Sequence, residues 1–556
     1  MTLIHHKDLA MFRFMFRISP LVAALLLAAV ATPLTAQAPL LTMDIPSVQA
    51  FGYSVDAMGD MNGDGAPDFV VGTVNDDTFD TDAGSVRIVS GADGSILLTR
   101  LGTEKFENLG ETVVCVGDID GDGVTDFAAT SKRSDALGPD VGAVLVMSGA
   151  TGAVIHALGD VAYKPFGASV AALGDLDGDG ITEIVGSASF NGPPGDRGAV
   201  IVFDGATGAQ LWSFPGVAGV SQVLGRHLAP LDDVNGDGHP DLLTSDANDM
   251  LAGQFRGRVW VLSGIDGSVI HEWAGSVDYE RLGTAVAAAG DVDADGTPDM
   301  LVSCNKNDQG LSALISSVHV YSGATGLRLL TVLDTEYANN FGTTVAGLGD
   351  RNGDGHADFG VSTLAGGVSK PGVVDIYSGA DGAWVARMKG SLPGDQFGRT
   401  IATLGDLDGD GNDDLVVGAP GSTNHFVRVM SLAGSFAVTG AGLAGTGGLV
   451  PKLSGFGFPE GGGSVEIRLV DGRSVASSFT FVGFAPAALP FKQGTLWVAP
   501  PWTIVSLNLS GAGGFAAPVA LDPSFSGLGV HLQTAVQDPV APAGWALSNG
   551  LFMAVN

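Results

Sequence analysis

The chain has 556 residues, of which 26 are Lys or Arg and 60 are Asp or Glu, for a formal net charge of -34. Phosphate binding needs basic stripes, so this balance excludes nucleic acid as a partner. An apolar fraction of 45% is ample for a core and excludes wholesale disorder; 84 glycines, roughly twice the usual ~7%, point to short strands joined by tight turns.

The N-terminus places Lys7, Arg13 and Arg17 before an uncharged run, Ile18 to Ala38, whose apolar heart is Leu21 to Ala31 and which ends in Ala36-Gln37-Ala38. This is the order of a secretory signal, so residues 1–38 are expected to be removed on export, with cleavage after Ala38 or Ala36. Eleven apolar residues between Pro20 and Pro33 fall short of the ~20 that a spanning helix needs. No second apolar span follows, so the expected product is secreted or held at the cell surface, with a mature charge of -36 and no transmembrane segment. Cys115 and Cys304 are the two cysteines, too few for a disulfide scaffold in a chain of this size.

From residue 51 one phrase recurs seven times, beginning FGYSVDAMGDMNGDGAPDFVVG, LGETVVCVGDIDGDGVTDFAAT and FGASVAALGDLDGDGITEIVGS. The copies start at Phe51, Leu109, Phe166, Leu224, Leu282, Phe341 and Phe397, at spacings of 56 to 59 residues. About 30 residues into the unit comes a second phrase, such as GSVRIVSGADGSILL, in which alternating apolar residues flank a Gly-containing turn. One unit therefore predicts four strands: A before the Asp-rich loop, B after it, and C and D around the SGADG-type turn. Radial repetition of such units predicts an all-β fold, a seven-bladed β-propeller over residues 39–438. The hairpin turn of the seventh unit is degenerate, in HFVRVMSLAGSFAV, while Leu40-Leu41-Thr42 matches Leu97-Leu98-Thr99 at the same offset from the next unit. Residues 40–46 are therefore expected to supply the outer strand of the last blade; the rival for that place is Ser435 to Val438.

Every A to B loop carries acidic or amide side chains at positions 1, 3, 5 and 9. They are Asp60, Asn62, Asp64 and Asp68; Asp118, Asp120, Asp122 and Asp126; Asp175, Asp177, Asp179 and Glu183; and Asp233, Asn235, Asp237 and Asp241. The last three loops supply Asp291, Asp293, Asp295 and Asp299; Asp350, Asn352, Asp354 and Asp358; and Asp406, Asp408, Asp410 and Asp414. Position 6 is Gly in all seven, which permits a bend that turns hard oxygen donors toward one cation. No His or Cys recurs at these positions and magnesium keeps its waters, so Ca2+ is the expected ion, in about seven structural sites. Position 7 varies from Ala66 to His239, His356 and Asn412, as expected if only its carbonyl binds metal, and the two histidines are then bystanders. An EF-hand needs Glu at position 12, where this chain has Val71, Ala129, Gly186, Thr244, Val302, Val361 and Val417. The ligand positions hold 25 of the 60 carboxylates, and bound calcium would supply the restraint that disulfides do not.

These units resemble the FG-GAP repeats of the integrin alpha-chain propeller, with Phe-Gly or Leu-Gly openings, the DxDxDGxxD loop and a literal Gly418-Ala419-Pro420. The resemblance, over about residues 40–438, implies an extracellular calcium-binding propeller, often adhesive, of a type also found in secreted bacterial proteins and a few polysaccharide-active enzymes. Integrin stalk domains have no counterpart in the sequence.

The calcium loops and SGADG turns should share one face of the propeller. The B to C loops, Asn75 to Ala83, Lys132 to Val141, Phe190 to Arg197 and Ala247 to Arg256, should lie on the other, where their variety marks it for recognition. Cys115 and Cys304 fall three blades apart, beyond disulfide reach, and are expected as free thiols. No GxSxG or HExxH arrangement occurs. After residue 438 a Gly-rich stretch, Thr439 to Gly448, reads as a linker. Residues 449–556, with runs such as SVEIRLV, SSFTFVGF, TLWVAP, TIVSLNLS and GVHLQTAVQD, predict a β-sandwich-like module that attaches the protein to an envelope or simply accompanies the propeller. The leading functional expectation is adhesion or binding to an extracellular protein or polysaccharide, without catalysis. A carbohydrate-active lyase or hydrolase and a purely structural envelope or matrix protein stay open.

Overall fold

The computed structural model describes residues 39–45, 48–189, 198–217, 223–250, 254–304, 315–334, 340–351, 354–364, 370–408, 413–421 and 425–431, together with the C-terminal strands given below. The expected signal, residues 1–38, lies outside the described residues. The chain divides into two compact units, one drawn chiefly from residues 36–432 and one chiefly from 433–556.

The first unit is a seven-bladed β-propeller. In blade one, strands A to D are Ser54–Gly59, Asp68–Thr73, Ser85–Val89 and Ile96–Leu101, an antiparallel sheet paired in sequence order. Five further blades repeat that order, with innermost strands Val113–Gly117, Val170–Gly174, Leu228–Leu231, Leu282–Gly290 and Phe341–Gly349. Burial follows the radius: strands B and C of blade one are buried at every position, whereas Ile96–Leu101 on the rim alternates between exposed and half-buried. Strand B is covered on both faces by neighbouring blades, which is why it reads as a continuous apolar run rather than an alternating one.

Two glycines of the repeat have separate tasks. The opening Phe or Leu inserts between blades, with Phe51, Phe166 and Phe397 fully buried, each such ring stabilising by about 2–3 kcal/mol. The Gly that follows backs onto the preceding blade: a Cβ on Gly283, at φ +88°, would stand 2.6 Å from Ser245 Cβ. The Gly of the GD dipeptide, as in Gly59, closes a bulge at the end of strand A, and the same register shift recurs before Gly117, Gly174, Gly290, Gly349 and Gly405. Blade four has Asp232 there instead, and its strand A pairs through Leu231↔Asp241 without a bulge. The core is a ring of inter-blade layers; one holds Val116, Ala128 and Val144 of blade two against Phe166, Val170 and Ile184 of blade three.

Blade seven closes the ring with chain from both ends of the unit. Its order is Leu41–Met43, His425–Met430, Asp414–Pro420 and Thr400–Gly405, with Leu41 opposite Val429 and Met43 opposite Val427. Residues 41–43 therefore take the outer place expected for residues 40–46. The rival segment lies elsewhere, because the free edge of His425–Met430 is already filled: Phe436–Gly440 pairs with Gly550–Val555 in the second unit. The propeller strands thus end at Met430, short of residue 438, and Thr439 and Gly440 are strand rather than linker, while residues 441–448 lie outside the described residues.

In the second unit one sheet runs in the order Phe436–Gly440, Gly550–Val555, Leu528–Gln537, Ser477–Gly483 and Thr503–Asn508, and Trp545–Leu547 also pairs with Leu528–Gln537. A second sheet comprises Lys452–Phe456, Ser464–Val470 and Phe515–Ala520, and Pro486–Phe491 forms a hairpin with Gly494–Val498. The apolar runs of the sequence fall on these strands. Around Leu528–Gln537 the packing includes buried polar groups that satisfy one another, with Thr480 and Thr534 hydroxyls 2.8 Å apart and Gln533 Nε2 donating to Ser548 O at 2.8 Å.

Candidate metal centre

All the A to B loops described lie between the first two strands of their blades. In the first, Asp60 accepts three backbone amides, from Gly63 and Asp64 on Oδ1 at 2.7 and 3.1 Å and from Gly65 on Oδ2 at 2.8 Å. Asn62 Oδ1 accepts from Asp64 N at 2.9 Å, and Asp64 Oδ1 from Ala66 N at 2.9 Å, so successive donors wind the loop around its own side chains. The closing bond from the position 6 amide to the position 1 carboxylate recurs as Gly123 to Asp118, Gly180 to Asp175, Gly238 to Asp233, Gly296 to Asp291 and Gly355 to Asp350, at 2.7 to 3.0 Å. At the six described copies of position 6, φ lies between 87° and 90°, a conformation that glycine adopts without strain.

The acid at position 9 has a second task that sequence reasoning missed. Asp68 is fully buried; its Oδ2 accepts from Met61 N in its own loop at 2.7 Å and its Oδ1 from Gly91 N in the SGADG turn at 3.0 Å. Asp126 does the same with Ile119 and Gly149, Asp241 with Val234 and Gly264, and Asp299 with Val292 and Gly323. Position 9 thus clamps the A to B loop to the C to D turn, and both lie on one face, where Ser90 Oγ also reaches Asp64 Oδ2 at 3.4 Å. The signal in the sequence was the small Ser-Gly pair ahead of the hairpin turn in five of the seven units, which a carboxylate can approach closely.

Burial pushes the position 9 carboxyls upward against the pull of these amides, and the loop carboxylates beside them push the same way: Glu183 reaches about 7 and Asp299 about 6. Asp60 and Asp175 move down instead, held by the amides of Gly65 and Gly178 respectively. No ion pair among the described residues involves a carboxylate of loops one to five.

Oxygen atoms converge in several loops. Ligand atoms of Asp175, Asp177, Asp179 and Glu183 lie within 4.8 Å of one another, as do those of Asp118, Asp120 and Asp122, of Asp291, Asp293 and Asp295, and of Asp406, Asp408 and Asp414. In loops one and four the amide at position 3 joins the acids, Asn62 Nδ2 and Asn235 Nδ2 each donating at 2.9 Å to the acid at position 5. Asn352 and Asp410 lie outside the described residues. His356 turns away, its Nδ1 2.7 Å from Val292 O of the fifth loop. An all-oxygen donor set on a bent loop fits calcium and offers nothing to a thiophilic metal.

On the opposite face the blades differ. Asp76 in the first B to C loop is buried against Arg87 at 2.7 Å and Ser85 Oγ at 2.6 Å. Phe255 stacks at a tilt on Tyr279, centroids 5.9 Å apart, beneath Arg281, while Phe106, 38% exposed, lies under Lys105 and beside Arg133. The loop 190–197 lies outside the described residues. Neither cysteine is in a disulfide; Cys304 is buried and Cys115 half-buried.

A seven-bladed propeller with an acid-wound A to B loop in each repeat is the class that this fold and site define. Four of its repeats match the FG-GAP repeat model, over residues 112–147, 166–203, 224–262 and 397–442. The chain is similar to integrin alpha chains. Integrin alpha-5 of Xenopus laevis and integrin alpha-IIb of Homo sapiens are each 32% identical over 213 residues, covering 35% of this chain and 19% of the relative. Integrin alpha-V of Gallus gallus is 32% identical over 209 residues, covering 34% and 19%. The chain thus spans about a fifth of the length of these relatives. Among solved structures, a chain in the complex of KlAtg21 with coiled-coil of AgAtg16 matches with a TM-score of 0.36 and 12% identity over 60% of this chain and 88% of that one, too distant to bear on function. Among the described residues no helix is long and apolar enough to cross a membrane.

Proposed function

We propose that this protein is an extracellular, calcium-loaded propeller that binds a protein or polysaccharide partner through the face opposite its metal loops, without catalysis. The observation that carries the reading is the convergence of carboxylate oxygens in the A to B loops, within 4.8 Å of one another, with the side chains at positions 1, 3, 5 and 9 as ligands. Likeness to integrin alpha chains supports an adhesive role and a place outside the cell. In this reading residues 1–38 direct export, calcium is structural, and the second unit serves for attachment to an envelope. At calcium tenfold above a site's dissociation constant, linkage supplies about 1.4 kcal/mol per site, on the order of 10 kcal/mol over seven.

The partner face offers aromatic rings backed by cations: Phe106 with Lys105, and Phe255 with Tyr279 and Arg281. Such rings suit sugar faces and protein hot spots alike. The test is retention of the mature protein on polysaccharide and cell-envelope fractions, in calcium and after chelation, with the melt recorded in both. Saturable retention in calcium, weakened by Phe106→Ala and lost with a fall of the melt by roughly 10 °C on chelation, is expected. Absence of retention by the calcium-loaded fold, or release of new polysaccharide ends, would overturn the binding reading, and a melt indifferent to chelation would overturn the metal.

A further inference from the structure

Blade five carries a set of metal-binding side chains that has no counterpart in the calcium loops and lies at the other end of the blade. Cys304 closes strand B (Asp299–Cys304), His319 stands on strand C (Ser317–Tyr321), and Glu280 lies just before strand A (Leu282–Gly290). One ligand atom from each, a thiol sulfur, an imidazole nitrogen and a carboxylate oxygen, lies within 4.8 Å of the other two. Cys304 is fully buried and His319 is 5% exposed.

Backbone pairing explains the convergence. Cys304 stands directly opposite Ser317, so His319, two residues further along strand C, shares its side of the sheet. His319 Nε2 lies 3.3 Å from Ser317 Oγ, on the side toward Cys304, while Nδ1 lies 3.0 Å from Thr331 Oγ1 on strand D (Arg328–Leu333). Thr331 can thus fix the ring and its tautomer, as an outer partner does for a metal-bound imidazole. Glu280 is anchored as well: its Oε2 accepts from Ser276 N, from Ser276 Oγ at 3.0 Å and from Val277 N at 3.1 Å, which leaves Oε1 for another partner.

The other blades show what this corner does without such a set. In blade two Glu107 caps its turn the same way, accepting from Glu104 N at 3.1 Å, but Ser131 and Leu145 hold the strand places of Cys304 and His319, and the Ser131 hydroxyl donates to Glu107 Oε1 at 2.9 Å. Blade one has Arg87 at the strand C position, paired with Asp76. Blade five keeps the acid and turns Ser into Cys and Leu into His, so both changes from blade two add a ligand for a thiophilic cation. Hydrogen bonding alone would be met by the serine.

We propose that Glu280, Cys304 and His319 bind a zinc ion, with water completing a four-coordinate site and the Cys304 thiol releasing its proton to solvent as the thiolate binds. Sulfur, nitrogen and a single carboxylate are the donors zinc selects and calcium does not, so calcium in the A to B loops leaves this site free for the second metal.

The test uses the full chain in excess calcium, titrated with cobalt(II) as a spectroscopic stand-in for zinc. A thiolate-to-cobalt charge-transfer band that saturates at one equivalent, and is abolished by zinc, is expected. Cys304→Ser should remove the band, His319→Leu should weaken cobalt binding at least tenfold and change the ligand-field bands, and Cys115→Ser should leave both unchanged. The first two variants copy blade two's own residues, and their melts in calcium without added cobalt or zinc confirm that the fold is kept. Absence of the band in the folded wild-type chain, or its survival in Cys304→Ser, would overturn the proposal.

Discussion

The two faces of the propeller are built on opposite plans. On the loop face the blades repeat one solution: a position 1 carboxylate closes the A to B loop on its own amides, and in blades one, two, four and five a buried position 9 acid ties that loop to the C to D turn. On the other face each blade fills the same corner differently, with Arg87 and Asp76 in blade one, Ser131 and Glu107 in blade two, Arg258 and Asp249 in blade four, and Cys304, His319 and Glu280 in blade five. Repetition holds the ring together, and departure from it individualises the blades. A residue that recurs at every period should therefore fail through stability, and one that occurs once through a private property of its blade.

Blade seven is where this plan is most easily broken, because its outer strand is borrowed from the far end of the unit. Deleting residues 39–47 strips the pairing of Leu41–Met43 with Val427–Val429, together with the buried Met43, and leaves a bare apolar edge. Lost strand bonds and burial together amount to roughly 5 kcal/mol. Calorimetry should show a melt lowered by many degrees; an unchanged melt would mean that the ring does not depend on this closure.

Within the loop face, Asp126→Ala separates tie from ligand. It leaves the amides of Ile119, Asp120 and Gly149 without their acceptor inside the blade, at a cost of about 3 kcal/mol that chelation should not remove. Asp122→Ala touches an exposed side chain, so with calcium chelated its cost should fall below about 1 kcal/mol. Equal losses for the two variants in chelator, read from urea unfolding, would contradict the division of labour between positions 5 and 9.

Much of this was legible in the sequence. The period, the four strands per unit, the closure by residues 41–43 and the sharing of one face by the loops and SGADG turns follow from spacing and chain direction alone. The clamp by Asp68 and its equivalents was not, because a hydrogen bond to the amide of Gly91 leaves no trace in the identity of either residue beyond the smallness of glycine. The end of the propeller was misread for a similar reason: SFAV has the same apolar pattern whether it finishes blade seven or begins the second unit, and occupation of the edge by Leu41–Met43 decides. Blade five's Cys304 and His319 form no motif along the chain, since strands pair what sequence separates.

On the divergent face Asp246 tests whether a private residue has a private consequence. It ends strand B of blade four, fully buried, accepting from Asn248 N at 2.9 Å and Val223 N at 3.3 Å, and burial pushes its carboxyl to about 7. A carboxyl raised in the fold keeps a proton that the unfolded chain gives up near pH 4. Its contribution is therefore fully present below that pH and is lost as pH rises toward about 7. Between about pH 5.5 and 7 the wild type should lose roughly 2 kcal/mol relative to Asp246→Asn. Parallel stability curves for the two proteins across that range would show that Asp246 ionises freely.

The smallest effect concerns the one described loop that departs from its own plan. Position 4 is Gly63, Gly121, Gly178 and Gly236 in the first four loops, all at φ between 75° and 85°, but in the fifth it is Ala294, at φ 61°. An L side chain in the left-handed region costs about 1–2 kcal/mol, part of which glycine gives back through its freer unfolded chain. Ala294→Gly should therefore stabilise by about 0.5–1 kcal/mol. Chelation sharpens the reading, since the amides of Asp295 and Gly296 hold Asp291 in the folded loop at 3.0 Å. If these bonds set the left-handed turn, the gain is the same in calcium and in chelator. A gain that vanishes in chelator would mean that the cation imposes the conformation, and the loop face would then be ordered by its metal rather than prepared for it.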